Sequence, residues 1–398
     1  MNTTGPLHNV IIIDVGQIYN GPYCTFLLAM AGAKVIKIEP PRGDPLRRRT
    51  VVGGAALPFA MLNSNKDMVS LDLKSQRGKE IFRQMVMRAD AVVENYAPGT
   101  MERLGVGYED LKAIKPDIVY AAGSGYGRSG PKSRYPAMDL TVQAMTGVMS
   151  TTGFPDRPPV KAGPAIADFF GGVHLYAGLV TALYDRAVTG NGRLVEVAMM
   201  EALYPSLSSS LGLYYGSHGD IPPRTGNRHA GLAEAPYNVY PTTDGHIAII
   251  CVSDQHWINL TQAMKRNDLA EDPTLETLKQ RVERMDDVDR LVSEFTSQYP
   301  KQELFDLLSE HRVPCAPVRT LDEVVNDDHL HARGALEWID HPMYGRLALP
   351  RSALRFHGQE TVELRPSGEL GRDNDAVYGD WLGLSRKDVA SLYEEGVI

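Results

Sequence analysis

Several things are scarce in this sequence, and each shortage excludes something. Only three cysteines, Cys24, Cys251 and Cys315, occur in 398 residues, and they lie far apart. They make neither a disulfide framework nor a zinc pattern, so reduced thiols are expected. The eleven histidines are scattered. His229, His246 and His256 do not stand at metal-ligand spacing, and no metal is expected. Basic residues are outnumbered, 41 Lys and Arg against 49 Asp and Glu, for a net charge of −8. An acidic chain of this kind does not point to nucleic acid as its main partner. No uninterrupted apolar run approaches ~20 residues, so no membrane span is expected. The opening Met1 to Pro6 has neither a basic stretch nor an apolar one, unlike a secretory signal, and a cytoplasmic location is expected. Walker A, His-Glu-x-x-His and Gly-x-Ser-x-Gly sequences are all missing.

What is present is an ordinary globular composition, 43% hydrophobic with 37 Gly and 26 Pro, in a chain long enough for two domains. Short apolar runs alternate with amphipathic ones from the start. Strands are predicted at 9–14, 33–39, 69–73, 90–94, 117–121 and 194–197. Helices are predicted at 21–31, 77–88, 108–114, 136–149 and 171–188. This alternation predicts an α/β fold with a mostly parallel, doubly wound sheet covered on both faces. A turn-rich connector near 216–226 opens a smaller α+β domain, with a strand at 246–252 and helices near 254–264, 288–299 and 301–309. The expected boundaries are 1–215 for the first part of the large domain, 216–318 for the small one, and 319–398 for a return to the large one. In that return, a strand pair is expected near 346–356 and a closing helix near 385–395.

Gly123-Ser-Gly-Tyr-Gly127 follows a strand, but Arg128 stands where a dinucleotide fingerprint needs glycine, and a loop continues past it; it reads as a flexible loop. Three other loops fall near strand ends: Arg42 to Arg49, Asn63 to Lys74, and Asn95 to Gly105. Their amides and cations suit a phosphorylated nucleotide ligand, and solvated turns would look similar. The stretch from Val160 to His174 runs through glycine, proline and small apolar residues to Asp168, then into an amphipathic run. It delivers a carboxylate to the first turn of a helix, near the positive end of the helix dipole. Such a group is either a cap for backbone N–H groups or an ionised nucleophile.

Taken together these stretches resemble the family III CoA-transferases, the formyl-CoA transferase and carnitine CoA-transferase group (CaiB/BaiF). The pieces run in order: Asn20-Gly-Pro22, Leu28 to Glu39, Asn95 to Gly105, Gln143-Ala144, Ser150 to Gly153, Ala167-Asp168, Gly226 to His229, and Val313 to Val318. The resemblance implies Asp168 as the catalytic nucleophile. It implies CoA contacts at Asn65, Lys66, Leu71, Lys74, Asn95, Tyr96 and Arg103, with Lys74 and Arg103 on phosphates. It also implies an interlocked homodimer, acyl-CoA and small carboxylates as substrates, and no cofactor beyond CoA itself. The chemistry is an aspartyl anhydride followed by an aspartyl-CoA thioester. Its oxyanions need donors, for which the N–H groups near Phe169 and Gly171 are candidates.

The chain also departs from the pattern. Related racemases carry a histidine before the aspartate that matches Asp139, and here that position is Met138, which cannot transfer a proton. His174 lies on the Asp168 helix and reads as packing. Formyl-CoA transferases carry a tetraglycine loop where this chain has Cys251 to Trp257, and a frequent family arginine is Ala97 here. Tyr19, Met138 and the Arg47 to Arg49 cluster are the candidates for acid selectivity. An α-methylacyl-CoA racemase and a non-catalytic CoA carrier stand as the alternatives to a transferase.

Overall fold

The computed structural model describes residues 5–51, 57–358 and 360–398. Six parallel strands form one sheet: β1 (Ile11–Asp14), β2 (Lys34–Glu39), β3 (Lys66–Ser70), β4 (Ala91–Glu94), β5 (Val119–Ser124) and β6 (Leu194–Ala198), in the order β3-β2-β1-β4-β5-β6. Side chains alternate across a strand, and both faces here are apolar. Ile12, Val35, Ala91, Val93, Val119 and Ala121 point to one face. They pack on helix α1 (Asn20–Met30) through Cys24 and Leu28, and on the long helix α4 (Ile166–Thr189) through Leu175 and Leu179. Ile13, Ile36, Val69, Val92 and Tyr120 point to the other. There they meet Ile81, Phe82, Met85 and Val86 of helix α2 (Gln76–Met87) and the C-terminal residues Val377, Tyr378, Val389 and Leu392. Each such aliphatic side chain, fully buried, contributes about 1.5–3 kcal/mol.

The C-terminal segment also closes the sheet's edge. A free edge strand is a template for wrong pairing. The Met68 and Ser70 N–H groups donate to Asp373 Oδ2 (2.7 Å) and Asn374 Oδ1 (3.0 Å), and the Tyr378 hydroxyl donates to the Ser70 carbonyl (2.7 Å).

The chain divides into two compact units, one of residues 1–143, 164–203 and 327–398, the other of 144–163 and 204–326. The second holds a three-stranded antiparallel sheet, β7 (Tyr237–Thr242), β8 (Gly245–Ile250) and β9 (Cys315–Pro317), with helices Asp254–Ala263, Met285–Thr296 and Lys301–Glu310 around Trp257, Val288, Val292 and Leu304. All three cysteines are free; Cys24 and Cys251 are buried and Cys315 is half-buried.

Three expectations shift. The third strand is Lys66–Ser70 rather than 69–73, because Lys66 pairs with Val35 in register. The Leu71 to Lys74 stretch therefore lies beyond the strand's carboxyl end. The predicted 136–149 helix is shorter, α3 (Asp139–Met145), and the chain turns at Gly147, whose φ of 92° is left-handed. The late strand pair is β10 (Leu336–His341) with β11 (Gly345–Pro350), reversed at Gly345 with φ 72°, several residues earlier than expected. Helix α4 is long and apolar enough by composition to cross a membrane, yet its inner side packs against the sheet and α1, and Asp168, Asp185 and Arg186 interrupt it.

Close approach of α1, β5 and α4 requires two glycines. A Cβ at Gly171 would lie 2.2 Å from Asn20 Nδ2 and 2.9 Å from Met199 Cγ, and one at Gly123 would lie 2.2 Å from Asn20 Oδ1. We expect Gly171→Ala to destabilise the protein by about 1–3 kcal/mol through overpacking. Thermal denaturation checks this, and an unchanged midpoint would contradict it.

Candidate active site

β1 and β4 are neighbours, and the chain leaves them in opposite directions across the sheet, β1 toward β2 and β4 toward β5. Loops that part in this way leave a crevice outside the carboxyl ends of the strands. Two cavities lie there. One, of about 230 Å³, is lined by the β1–α1 loop (Gln17, Ile18), Asn20, the β4 loop (Asn95 to Pro98), Gly123 to Tyr126 at the end of β5, Met138, and Asp168. The other, of about 240 Å³, is lined by Arg42, Leu71 to Lys74, Tyr96, Thr100 and Arg103. Gln17 and Tyr96 belong to both linings.

Asp168 is half-buried in the first turn of α4. The residue before the helix, Ala165, has no side-chain acceptor, so another helix supplies one. Asp139, at the start of α3, accepts from the Ala167 N–H through Oδ1 (2.8 Å) and from the Asp168 N–H through the same oxygen (3.4 Å). Its Oδ2 accepts from Gln143 Nε2 (2.7 Å). Asn20 Nδ2 donates to the Asp168 carbonyl (3.3 Å). The Asp168 backbone is thus held at both its N–H and its carbonyl. Phe169 beside it packs edge-on to Tyr23 (4.7 Å) and against Tyr19 (6.0 Å), which fixes the turn from the other side.

The loop facing it is held as firmly. Asn95 accepts from the Gln17 N–H through Oδ1 (2.7 Å) and donates from Nδ2 to the Gln17 carbonyl (2.9 Å). Tyr96, two residues past the end of β4, is hydrogen-bonded by the Gln17 side chain, and burial pushes its hydroxyl up to about 12. The buried Glu94 accepts from the Tyr96 N–H (2.7 Å). Burial pushes Glu94 up to about 7, against the pull of the Tyr96 N–H and Arg128, with Glu102 adding repulsion. Arg128, in the loop after β5, lies 3.6 Å from Glu94 and also binds Glu102.

A half-buried carboxylate lines one cavity, and exposed cations line the neighbouring one. Residues 7–374 match the profile of CoA-transferase family III. The chain belongs to that family. Over its whole length it is similar to the formyl-CoA:oxalate CoA-transferase of Streptomyces coelicolor, 36% identical over 411 residues and covering 100% of both chains. It is 37% identical over 351 residues to the succinyl-CoA:mesaconate CoA-transferase of Haloarcula hispanica, covering 85% of this chain and 86% of that one. The crystal structure of a CaiB/BaiF family protein from Brucella suis superposes with a TM-score of 0.83 at 31% identity, covering 95% of this chain and 100% of that one.

In this CoA-transferase the residues singled out in the sequence fall into three groups. Asp168, Met138 (57% exposed), Asn95 and Tyr96 line the first cavity, and Leu71, Lys74, Tyr96 and Arg103 line the second. Asn65 and Lys66 line neither. Asn65, at φ 62°, binds the chain at Glu363 and Arg365, and Lys66 is fully buried with Asp14, Pro22, Thr25 and Asn63 around its ammonium. Asn65 precedes β3 and Lys66 is its first residue, whereas the cavities open beyond the carboxyl ends. Tyr19 lines neither cavity and packs behind Asp168 on Phe169. Arg47 is clasped by Glu39 (2.7 Å to each oxygen) over the Phe59 ring, Arg48 is exposed, and the Arg49 side chain lies outside the described residues. The Phe169 N–H donates to Ala165 (3.2 Å) within the helix. His174 is exposed and its ring contacts the Phe170 carbonyl (2.8 Å). Among the described residues no cluster of three or more His, Cys, Asp or Glu side chains could hold a metal ion.

Sequence reasoning missed Gln17, and it reached Arg42 only as the start of the Arg42 to Arg49 loop. The signal for Gln17 is its place directly after the first strand, where a doubly wound sheet opens.

Glu94 couples stability to pH. A carboxyl near 4.5 when unfolded and about 7 when folded contributes stability that is present below pH 4.5 and is lost as pH rises to 7. Glu94→Gln, which cannot ionise, should gain on the wild type across that interval. Denaturant unfolding at pH 4.5, 6 and 8 tests this, and parallel pH profiles would contradict it.

Proposed function

We propose that this CoA-transferase moves CoA from a short-chain acyl-CoA to a small carboxylic or dicarboxylic acid, with Asp168 as the nucleophile. The observation that carries the reading is that two neighbouring cavities share lining residues. Asp168 lines one, the cations Arg42, Lys74 and Arg103 line the other, and Gln17 and Tyr96 belong to both. CoA has this polarity, with phosphates at one end and the reacting thioester at the other. Exposed guanidinium and ammonium groups suit phosphates. Relatives named for formyl- and succinyl-CoA donors, with oxalate and mesaconate as acceptors, support the substrate class.

In this reading the Asp168 carboxylate attacks the thioester carbonyl. The C–S bond breaks, CoA leaves as a thiolate, and a mixed anhydride remains. The thiolate attacks the aspartyl carbonyl, the anhydride C–O bond breaks, and the donor acid leaves as its carboxylate. The acceptor carboxylate then attacks the aspartyl-CoA thioester and expels the thiolate. The thiolate takes the acceptor's acyl group and frees Asp168. No proton or electron is gained or lost over the cycle. What the protein must supply is placement, because a carboxylate is a weak nucleophile. The two-sided hold on the Asp168 backbone supports that role. A racemase would need a second acid–base group at the α-carbon. Met138, which lines the same cavity, has none.

The interlocked homodimer belongs to the same reading. Helix α4 leaves Phe170, Val173, Tyr184 (73%) and Val188 (67%) exposed, apolar surface that a second chain would cover. Sedimentation at twice the 43.8 kDa chain mass is the expected result.

Two substitutions test the site. Asp168→Ala should lower transfer at least about a thousandfold while CoA affinity stays within a few-fold. Arg103→Ala should weaken CoA binding about tenfold, the loss of one charge-assisted contact. Near-normal turnover by Asp168→Ala would overturn the nucleophile, and unchanged CoA affinity in Arg103→Ala would overturn the phosphate assignment.

A further inference from the structure

Four charged side chains are buried directly beneath the loop that the two cavities share. Asp14 and Lys66 are fully buried, as are Lys37 and Asp44 to within 1%. Two acids and two bases make the set neutral. Asp14 Oδ2 lies 3.0 Å from Lys66 Nζ, and Lys37 Nζ lies 3.9 Å from Asp14 Oδ1 and 3.8 Å from Asp44 Oδ2. Replacing such a set by apolar side chains is often neutral or stabilising, so global stability does not by itself explain it.

Three hydrogen bonds of the set go to the loop. Asp14 Oδ1 accepts from the Gly16 N–H (2.8 Å), Lys37 Nζ donates to the Gly16 carbonyl, and Asp44 Oδ2 accepts from the Ile18 N–H (3.3 Å). Asn95 takes both backbone groups of Gln17 between them. Three consecutive residues are therefore gripped from four different segments of the chain. The grip holds an unfavourable conformation. Ile18 has φ 63°, in the left-handed region where a β-branched side chain is a steric outlier. Without the grip, the loop would relax toward a negative φ at Ile18.

We propose that Lys37 and Asp44 are positioning residues for the transfer reaction, holding Gly16–Ile18 in the strained conformation that shapes the wall between the thioester end and the phosphate end of the site. The proposal rests on the reading of Asp168 and CoA above. Lys37 and Asp44 contact no substrate; they act through the Gly16 carbonyl and the Ile18 N–H. The Asp14–Lys66 pair, braced by Thr25 (2.6 Å to Asp14, 2.7 Å to Lys66), forms the floor on which they rest.

The test uses full-length protein and single-turnover formation of the enzyme–CoA adduct from the best acyl-CoA donor. Lys37→Met alone leaves an unpaired buried acid and is a folding risk. The charge-matched double variant Lys37→Met with Asp44→Asn removes one charge of each sign and keeps Asp14–Lys66. It should melt cooperatively and bind CoA within a few-fold of wild type, yet form the adduct about 10- to 100-fold more slowly. Adding Ile18→Gly to this double variant should recover rate, because glycine adopts a positive φ without being held there. A general weakening of the core would not be repaired by deleting a further side chain. A wild-type adduct rate in the double variant, or a further loss of rate on adding Ile18→Gly, would overturn the proposal. Failure of the wild type itself to form an adduct with any donor would instead overturn the reading beneath it.

Discussion

The arrangement depends on one constraint of topology, the reversal of strand order between β1 and β4. In a parallel sheet every loop at the carboxyl edge leads away toward the next crossover. Only where neighbouring strands send their loops in opposite directions does the edge open. Here that opening receives the β1–α1 loop from one side and the β4 loop from the other. The first turn of α4 brings Asp168 to its wall. The Gly-rich segment at the end of β5 serves this opening as lining, although it lacks a dinucleotide fingerprint. The sheet order is that of dinucleotide-binding folds, put to a different chemistry by different loops.

A site built from loops at a sheet edge needs those loops fixed, and the protein does this largely with polar groups. Asp139 supplies, from another helix, the cap that Ala165 cannot give to α4. Asn20 holds the Asp168 carbonyl from α1, in a space that Gly123 and Gly171 leave open. Asn95 clasps Gln17, and the charges beneath fix Gly16 and Ile18. Apart from Asp14 to Gly16, two residues apart, these contacts join separate elements. They concentrate at one end of the sheet, while the rest of the core is held by Ile, Leu and Val. The buried charges act on one another. Burial alone would raise the Asp14 carboxyl, yet Lys37 and Lys66 outweigh it and hold it below the usual range, while burial draws Lys66 down to about 8.

Much of the large unit was legible in the sequence because its parts are locally encoded. Apolar runs such as Ile11–Asp14 and Ala91–Glu94 are bounded by turns, so strands and their alternation with helices could be read directly. The family resemblance is confirmed by a match over nearly the whole chain. Asp168 could be read from its Gly-Pro approach and the helix that follows. Register was less legible. A shift of three residues in β3 decides that Leu71 to Lys74 reach the opening while Lys66 is drawn into the core, and only pairing with Val35 fixes it. Asn65 and Lys66 illustrate the limit of reading by type, since an amide and a cation in a loop have the same composition whether they meet a ligand or their own backbone. Met138 was read by chemistry, since a thioether cannot carry a proton, whereas the cap that Asp139 gives α4 depends on the packing of two helices. Gln17 went unread because its significance comes from what the fold brings beside it.

The most direct measurement is the intact mass of the protein after incubation with a panel of acyl-CoA donors, followed by peptide mapping. The account predicts a covalent adduct of CoA mass on Asp168 with at least one short-chain donor, lost on treatment with hydroxylamine. Tight CoA binding with no adduct from any donor, or an adduct mapping to a different residue, would contradict it.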